Sequence, residues 1–82
     1  MQTIAGLTIL VHNRLEAQSK MNDILSLYGN IIRGRMGLPH LHNDSCVISL
    51  VLQGTEEEID NLHKELKGIS SIEQCEIIIA KF

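Results

Sequence analysis

Apolar residues along the chain recur with periods of two and of about 3.6, and the switches between them mark six elements. Residues 3–11, TIAGLTILV, are uncharged and rich in β-branched side chains, the signature of a strand. HNRLE then offers a helix start, with Asn13 as cap and Glu16 three residues on. Ala17, Met21, Ile24, Leu25 and Tyr28 follow as one helical stripe, and Gly29 is placed to end that helix in the left-handed conformation. IIRGRMG, residues 31–37, reads as a short second strand that Pro39 should end, since proline donates nothing to a ladder. HLHNDS, residues 40–45, holds the turn-formers of a hairpin, and CVISLVLQ, residues 46–53, is the strongest strand. Thr55 with Glu58 forms a capping box for a second helix with Ile59, Leu62 and Leu66 as its stripe. Glu56 to Glu58 favour its positive end, Lys64 and Lys67 its negative end, and Gly68 supplies the stop. CEIIIAKF, residues 75–82, is a closing strand.

The order β-α-β-β-α-β with short connections makes residues 1–82 a single α+β domain. It predicts a ferredoxin-like βαββαβ sandwich: a four-stranded antiparallel sheet, strand order 4-1-3-2, with two helices on one face. In that order the first strand separates those of Cys46 and Cys75, so two reduced thiols are expected and no disulfide between them.

Two helices on one face leave the other bare, and the strands do not alternate cleanly with polar residues. Ile48, Leu50 and Leu52 stand back to back with Val47, Ser49 and Val51. Ala5, Leu7, Ile9 and Val11 are set against Ile4, Gly6, Thr8 and Leu10; Cys75, Ile77 and Ile79 against Glu76, Ile78 and Ala80. Either face would serve as a core, and an apolar patch that broad, unless strand twist and long side chains cover it, predicts self-association through the helix-free face, through sheet edges or both, as a dimer or a dimer of dimers.

Composition narrows the functional classes. With 44% hydrophobic and 2% aromatic residues the core is aliphatic. Seven Lys and Arg against ten Asp and Glu give a net charge of −3, which argues against direct binding of nucleic acid. Arg33 and Arg35 fall on one face by alternation, too few charges for a phosphate groove. No segment approaches the roughly 20 apolar residues of a membrane span, and MQTIAGL lacks the marks of a signal peptide, so no membrane role and a cytoplasmic location are expected. No serine sits in a triad-like pattern, GRMG is not a phosphate loop, and nothing nominates an enzyme.

Two constellations remain. His12, Asn13 and Arg14 lie where the first strand hands over to the first helix, where free backbone N–H groups suit an anionic or amino-acid-like small molecule and a partner subunit can close a pocket. The bland alternative is a helix cap beside an exposed histidine and arginine. His40 and His42, two apart, point to one side of an extended chain, and Cys46 follows across the turn; imidazole with thiolate suits zinc, nickel or copper. Those three ligands need a fourth from another subunit, from His12 or His63, or from solvent.

The run Tyr28 to Pro39, YGNIIRGRMGLP, followed by ISLVLQGT at 48–55, resembles the family described as iron-only hydrogenase system regulators, over nearly the full length. That resemblance implies an ACT-like domain, a regulatory ligand sensor that associates through its sheets and is not an enzyme. Position 40 carries histidine where that family leads one to expect an aromatic residue. His40, His42 and Cys46, with GTEEEIDNLHKEL after them, are also similar to the C-terminal domain of the nickel-responsive repressor, a tetramer whose nickel ligands include a His-x-His pair and a later cysteine. That similarity implies a nickel- or zinc-binding module. The chain departs from it in a shorter gap between His42 and Cys46, in Gly29 and Asn30 standing where a histidine is expected, and in opening on its first strand without a ribbon-helix-helix DNA-binding segment.

Overall fold

The computed structural model describes residues 2–11, 14–42, 45–69 and 72–81, with side chains described at 2–11, 19–39, 41–42 and 45–69. Six elements follow in the order β1 (Thr3–Val11), α1 (Arg14–Leu27), β2 (Ile32–Leu41), β3 (Ser45–Gly54), α2 (Glu56–Lys67) and β4 (Ile72–Lys81). The strands are hydrogen-bonded in the order β2-β3-β1-β4, every neighbouring pair antiparallel. Cys46 lies opposite Val11 on one side of β1, and Cys75 opposite Ile9 on the other.

Of the two apolar faces, the helices cover the one carrying Ala5, Leu7, Ile9 and Val11 of β1 and Cys46, Ile48, Leu50 and Leu52 of β3. These residues pair across the ladder, Leu7 with Leu50 and Ile9 with Ile48, so each row is one layer of core. Helix α2 lays Ile59, Leu62 and Leu66 on it, and α1 adds Met21 and Leu25, with Ile24 and Tyr28 half-buried beside them. The helices are tied at their far ends, where the Tyr28 hydroxyl donates to Glu65; that bond first, then burial, raises the phenol above its ordinary value of 10.0.

Several local expectations need correction. β2 does not stop before Pro39 but runs on to Leu41. It is an edge strand, and Pro39 falls where its register with β3 shifts between Leu38 and Leu41, so the missing donor interrupts little. A second shift, between Ile32 and Gly34, breaks the alternation that placed Arg33 and Arg35 on one face. Gly29 is not left-handed; α1 ends in turns closed by Gly29 N–H to Ser26 O and Ile31 N–H to Tyr28 O. Gly68 caps α2 in the right-handed region (φ −75°, ψ −10°), its N–H donating to the Lys64 and Glu65 carbonyls. β4 starts three residues earlier than expected, at Ile72. Asn13 as cap of α1 lies outside the described residues.

The start of α2 follows the sequence closely. Glu58 N–H donates to Thr55 Oγ1 at 3.1 Å, and Thr55 N–H donates to Glu58 Oε1 at 3.0 Å. The Thr55 backbone N–H, then its hydroxyl, hold the Glu58 carboxyl below its ordinary value of 4.5, and the Asn30 side chain adds to them. Gly54 precedes this box against the turn into β2: a Cβ there would stand 2.8 Å from Ile31 Cγ2 and 3.2 Å from Glu58 Oε1.

Thr55→Ala should cost about 1 kcal/mol, a fall in melting temperature of about 4–8 °C for a domain of this size. Because folding depresses the Glu58 pKa, its contribution is complete above about pH 4.5 and fades as pH drops through the folded value. The stability gap between wild type and Glu58→Gln, measured by denaturant titration, should therefore narrow below pH 4.5. Gly54→Ala should destabilise by about 1–3 kcal/mol through overpacking against Ile31, visible in the denaturation midpoint.

Candidate functional site

The described residues that flank both constellations lie at one end of the sheet. β1 ends at Val11 opposite Cys46, and the hairpin between β2 and β3 closes beside it, with Leu38 opposite Val47 and Leu41 opposite Ser45. His12 and Asn13 lie outside the described residues; Arg14 is the first residue of α1, its side chain outside them too. Of the hairpin set, Cys46 is 6% exposed on the helix-covered face, while His42 is exposed in the turn; the side chain of His40 lies outside the described residues. Among the described residues no three His, Cys, Asp or Glu side chains gather as a metal site would require.

Of the side chains that do converge, the sequence singles out Cys46, but as a metal ligand and not as part of a cleft. Between α1 and β2 a cleft of about 250 Å³ opens, with Met21, Cys46 and Ile48 among its apolar lining. Leu38 and Pro39, on the edge strand, line its β2 side, although pairing with Val47 assigns Leu38 to the opposite face of the sheet. Its polar groups are Arg35 and Asn22, joined by a hydrogen bond of 3.4 Å from Arg35 Nη2 to Asn22 Oδ1. Arg35 lies opposite Leu50 and Gly37 opposite Ile48, so both belong to the helix-covered side. A more open depression shares Asn22 and Arg35 and continues past Leu25 and Ile32. The available signal was the phase of GRMGLP: once strand register is known, Arg35 and Gly37 alternate with Gly34, Met36 and Leu38.

Among the described residues no helix lies over the opposite face of the sheet. Met36 is 61% exposed and Val51 52%, with Leu38 close to them in exposure. Val51 stands between two glycine positions, Gly6 on β1 and Gly34 on β2. A Cβ at Gly6 would meet nothing within 4 Å, and one at Gly34 only Val51 at 3.8 Å, so crowding within the chain explains neither glycine. A polar row on this face runs through Thr8 and Ser49, whose hydroxyls are 3.4 Å apart.

Comparison with known proteins bears on what these surfaces do. The model of the TM1266-like family, provisionally described as an iron-only hydrogenase system regulator, matches residues 3–75. The chain is similar to the solved structure of the TM1266 protein of Thermotoga maritima, with 27% identity, 99% of this chain and 100% of that one covered, and a TM-score of 0.90. At fold level alone it is similar to the ACT domain of GTP pyrophosphokinase from Chlorobium tepidum (13% identity, 95% and 100% covered, TM-score 0.76). A further fold-level likeness is to the C-terminal domain of the MgtC protein from Mycobacterium tuberculosis (12% identity, 95% and 87% covered, TM-score 0.73). No curated protein matches the chain. No helix among the described residues is long and apolar enough to cross a membrane.

Because β2 is paired on one side only and flanks an open cleft, its amides from Arg35 to Leu38 should exchange with solvent faster than those of β1 and β3. Hydrogen exchange followed by NMR checks this; equal protection would mean that α1 closes onto the strand in solution.

Proposed function

The chain belongs to the TM1266-like family of iron-only hydrogenase system regulators, and from that premise we propose that it is a small regulatory protein of ACT-like, ferredoxin-like build. In this reading it senses a small-molecule ligand as a homo-oligomer, acts by changing its association or a partner contact, and catalyses nothing itself. Family membership together with the fold-level likeness to an ACT domain supports the regulatory role.

The observation that carries the oligomer is the uncovered face. Met36, Leu38 and Val51 are each more than half exposed there, an arrangement that a soluble chain covers by association. Glycines on both sides of Val51, unexplained by crowding within the chain, leave bare backbone where a second copy can approach closely. Ligand sensing then belongs to the sheet end that holds His12 to Arg14, where a partner subunit can complete a pocket, and binding shifts the balance between assembled states.

Val51→Lys should leave the fold intact, since the side chain is half exposed, and should reduce the mass measured by sedimentation to that of one chain. An unchanged mass, or a wild type already running as a single chain, removes the association on which the reading depends. Zinc and nickel content of protein purified without an affinity tag separates this reading from a metal-binding module at His40, His42 and Cys46. Stoichiometric metal that disappears in a His40→Ala/His42→Ala variant would favour the module; negligible metal in both favours the sensor.

A further inference from the structure

We infer that the cleft between α1 and β2 is a binding site for a small carboxylate with an apolar body, its charge held by Arg35 and its body seated against Met21, Cys46 and Ile48. The inference keeps the sensing reading but moves its ligand from residues 12–14 to this cleft, and it rests on that reading in one respect, that filling the cleft is the signal.

The cleft is built by a missing side chain. Gly37 faces the helix side opposite Ile48, and a Cβ there would approach nothing closer than Ile48 Cγ1 at 4.0 Å. Its φ is not positive, so neither strain nor crowding calls for glycine. What the missing side chain does leave is room. The resulting volume, about 250 Å³, lies below the roughly 300–1,000 Å³ of pockets for drug-sized ligands, which selects a small occupant.

The charge at its mouth selects the chemistry. Among the described residues Arg35 meets only the neutral Asn22 amide, through a long hydrogen bond of 3.4 Å, and no carboxylate. In a chain with three more acidic than basic side chains, 10 against 7, a guanidinium that meets no acid among the described residues is a ready donor site for one. The guanidinium fork matches a carboxylate with two parallel hydrogen bonds. One cation above an apolar floor, on a strand and not at a glycine-rich helix start, suits a single negative charge better than a phosphate. An arriving carboxylate releases Asn22 from Arg35, and the Asn22 Nδ2–H then donates to the bound group. Occupancy joins α1 to β2, which is otherwise hydrogen-bonded on one side only, to β3.

The test titrates the full chain with carboxylates from acetate to 4-methylpentanoate. 3-Methylbutanamide and 3-methylbutylamine serve as size-matched neutral and cationic controls, and backbone NMR shifts, melting temperature and sedimentation are recorded. 3-Methylbutanoate should raise the melting temperature and shift the amides of Asn22, Arg35 and Gly37, with the controls inert. Arg35→Gln should weaken it by about tenfold or more, as expected for one hydrogen bond to a charged group. Gly37→Val, whose Cβ fits, should abolish binding while the unliganded protein melts as before. Binding of the amide or amine as strong as that of the acid, shifts confined to residues 12–14, or no carboxylate binding at all would overturn the proposal. Should other metabolites stabilise the protein while carboxylates do not, the cleft assignment falls and the sensor survives. Should carboxylates bind in the cleft without altering the assembled mass, the cleft stands and that sensing mechanism falls.

Discussion

The pairing register of β1 with β3 is the constraint on which the rest of the structure depends. Ala5 opposite Leu52, Leu7 opposite Leu50, Ile9 opposite Ile48 and Val11 opposite Cys46 put eight buried side chains on one face. Strand side chains alternate with a period of two, so a slip of one residue would turn Gly6 and Thr8 into the core and expose the leucines. The hydrogen-bonded hydroxyls of Thr8 and Ser49 oppose that inversion from the other side. Burying them under helices would cost roughly 1–3 kcal/mol for each hydroxyl left without a partner. Two almost equally apolar faces thus become distinguishable through polar positions such as Thr8 and Ser49.

Once that register is set, the two helices have a single surface to cover, and they cover it unevenly. Ile59, Leu62 and Leu66 of α2 are fully buried, while α1 contributes Met21 and Leu25 and leaves Asn22 exposed beside β2. The uneven cover leaves the cleft on one side of the sheet and the exposed Met36, Leu38 and Val51 on the other. A domain of this size buries only about 60% of the surface of its unfolded chain, and among the described residues no further element lies over either. Both surfaces are therefore open to molecules other than the chain itself, and both readings of function grow from them.

Much of this was legible in the sequence where local chemistry decides it. The Thr55–Glu58 box, the α2 stripe and the first and third strands are set by side chains close in sequence, and the structure places them as the pattern indicates. The second strand was harder to read. Pro39 speaks against a strand until one knows that β2 is an edge and that its register slips there, and both are properties of the assembled sheet. Gly29 suggested a left-handed cap, but glycine permits that conformation without requiring it. Arg35 and Asn22 are 13 positions apart and meet only through the packing of α1 over the sheet, so no local spacing announced them. His12 and Asn13 lie outside the described residues, as do the side chains of Arg14 and His40, and that part of the sequence reading stands as expectation.

The irregular pairing of β2 also bears on how the protein avoids uncontrolled polymerisation. A long flat border strand is a template onto which further chains can add, one N–H and C=O at a time. Here the template is defective in two places, at the slip beside Arg33 and at Pro39, which has no N–H to offer. Growth of a fibril along that border would stall after a few residues.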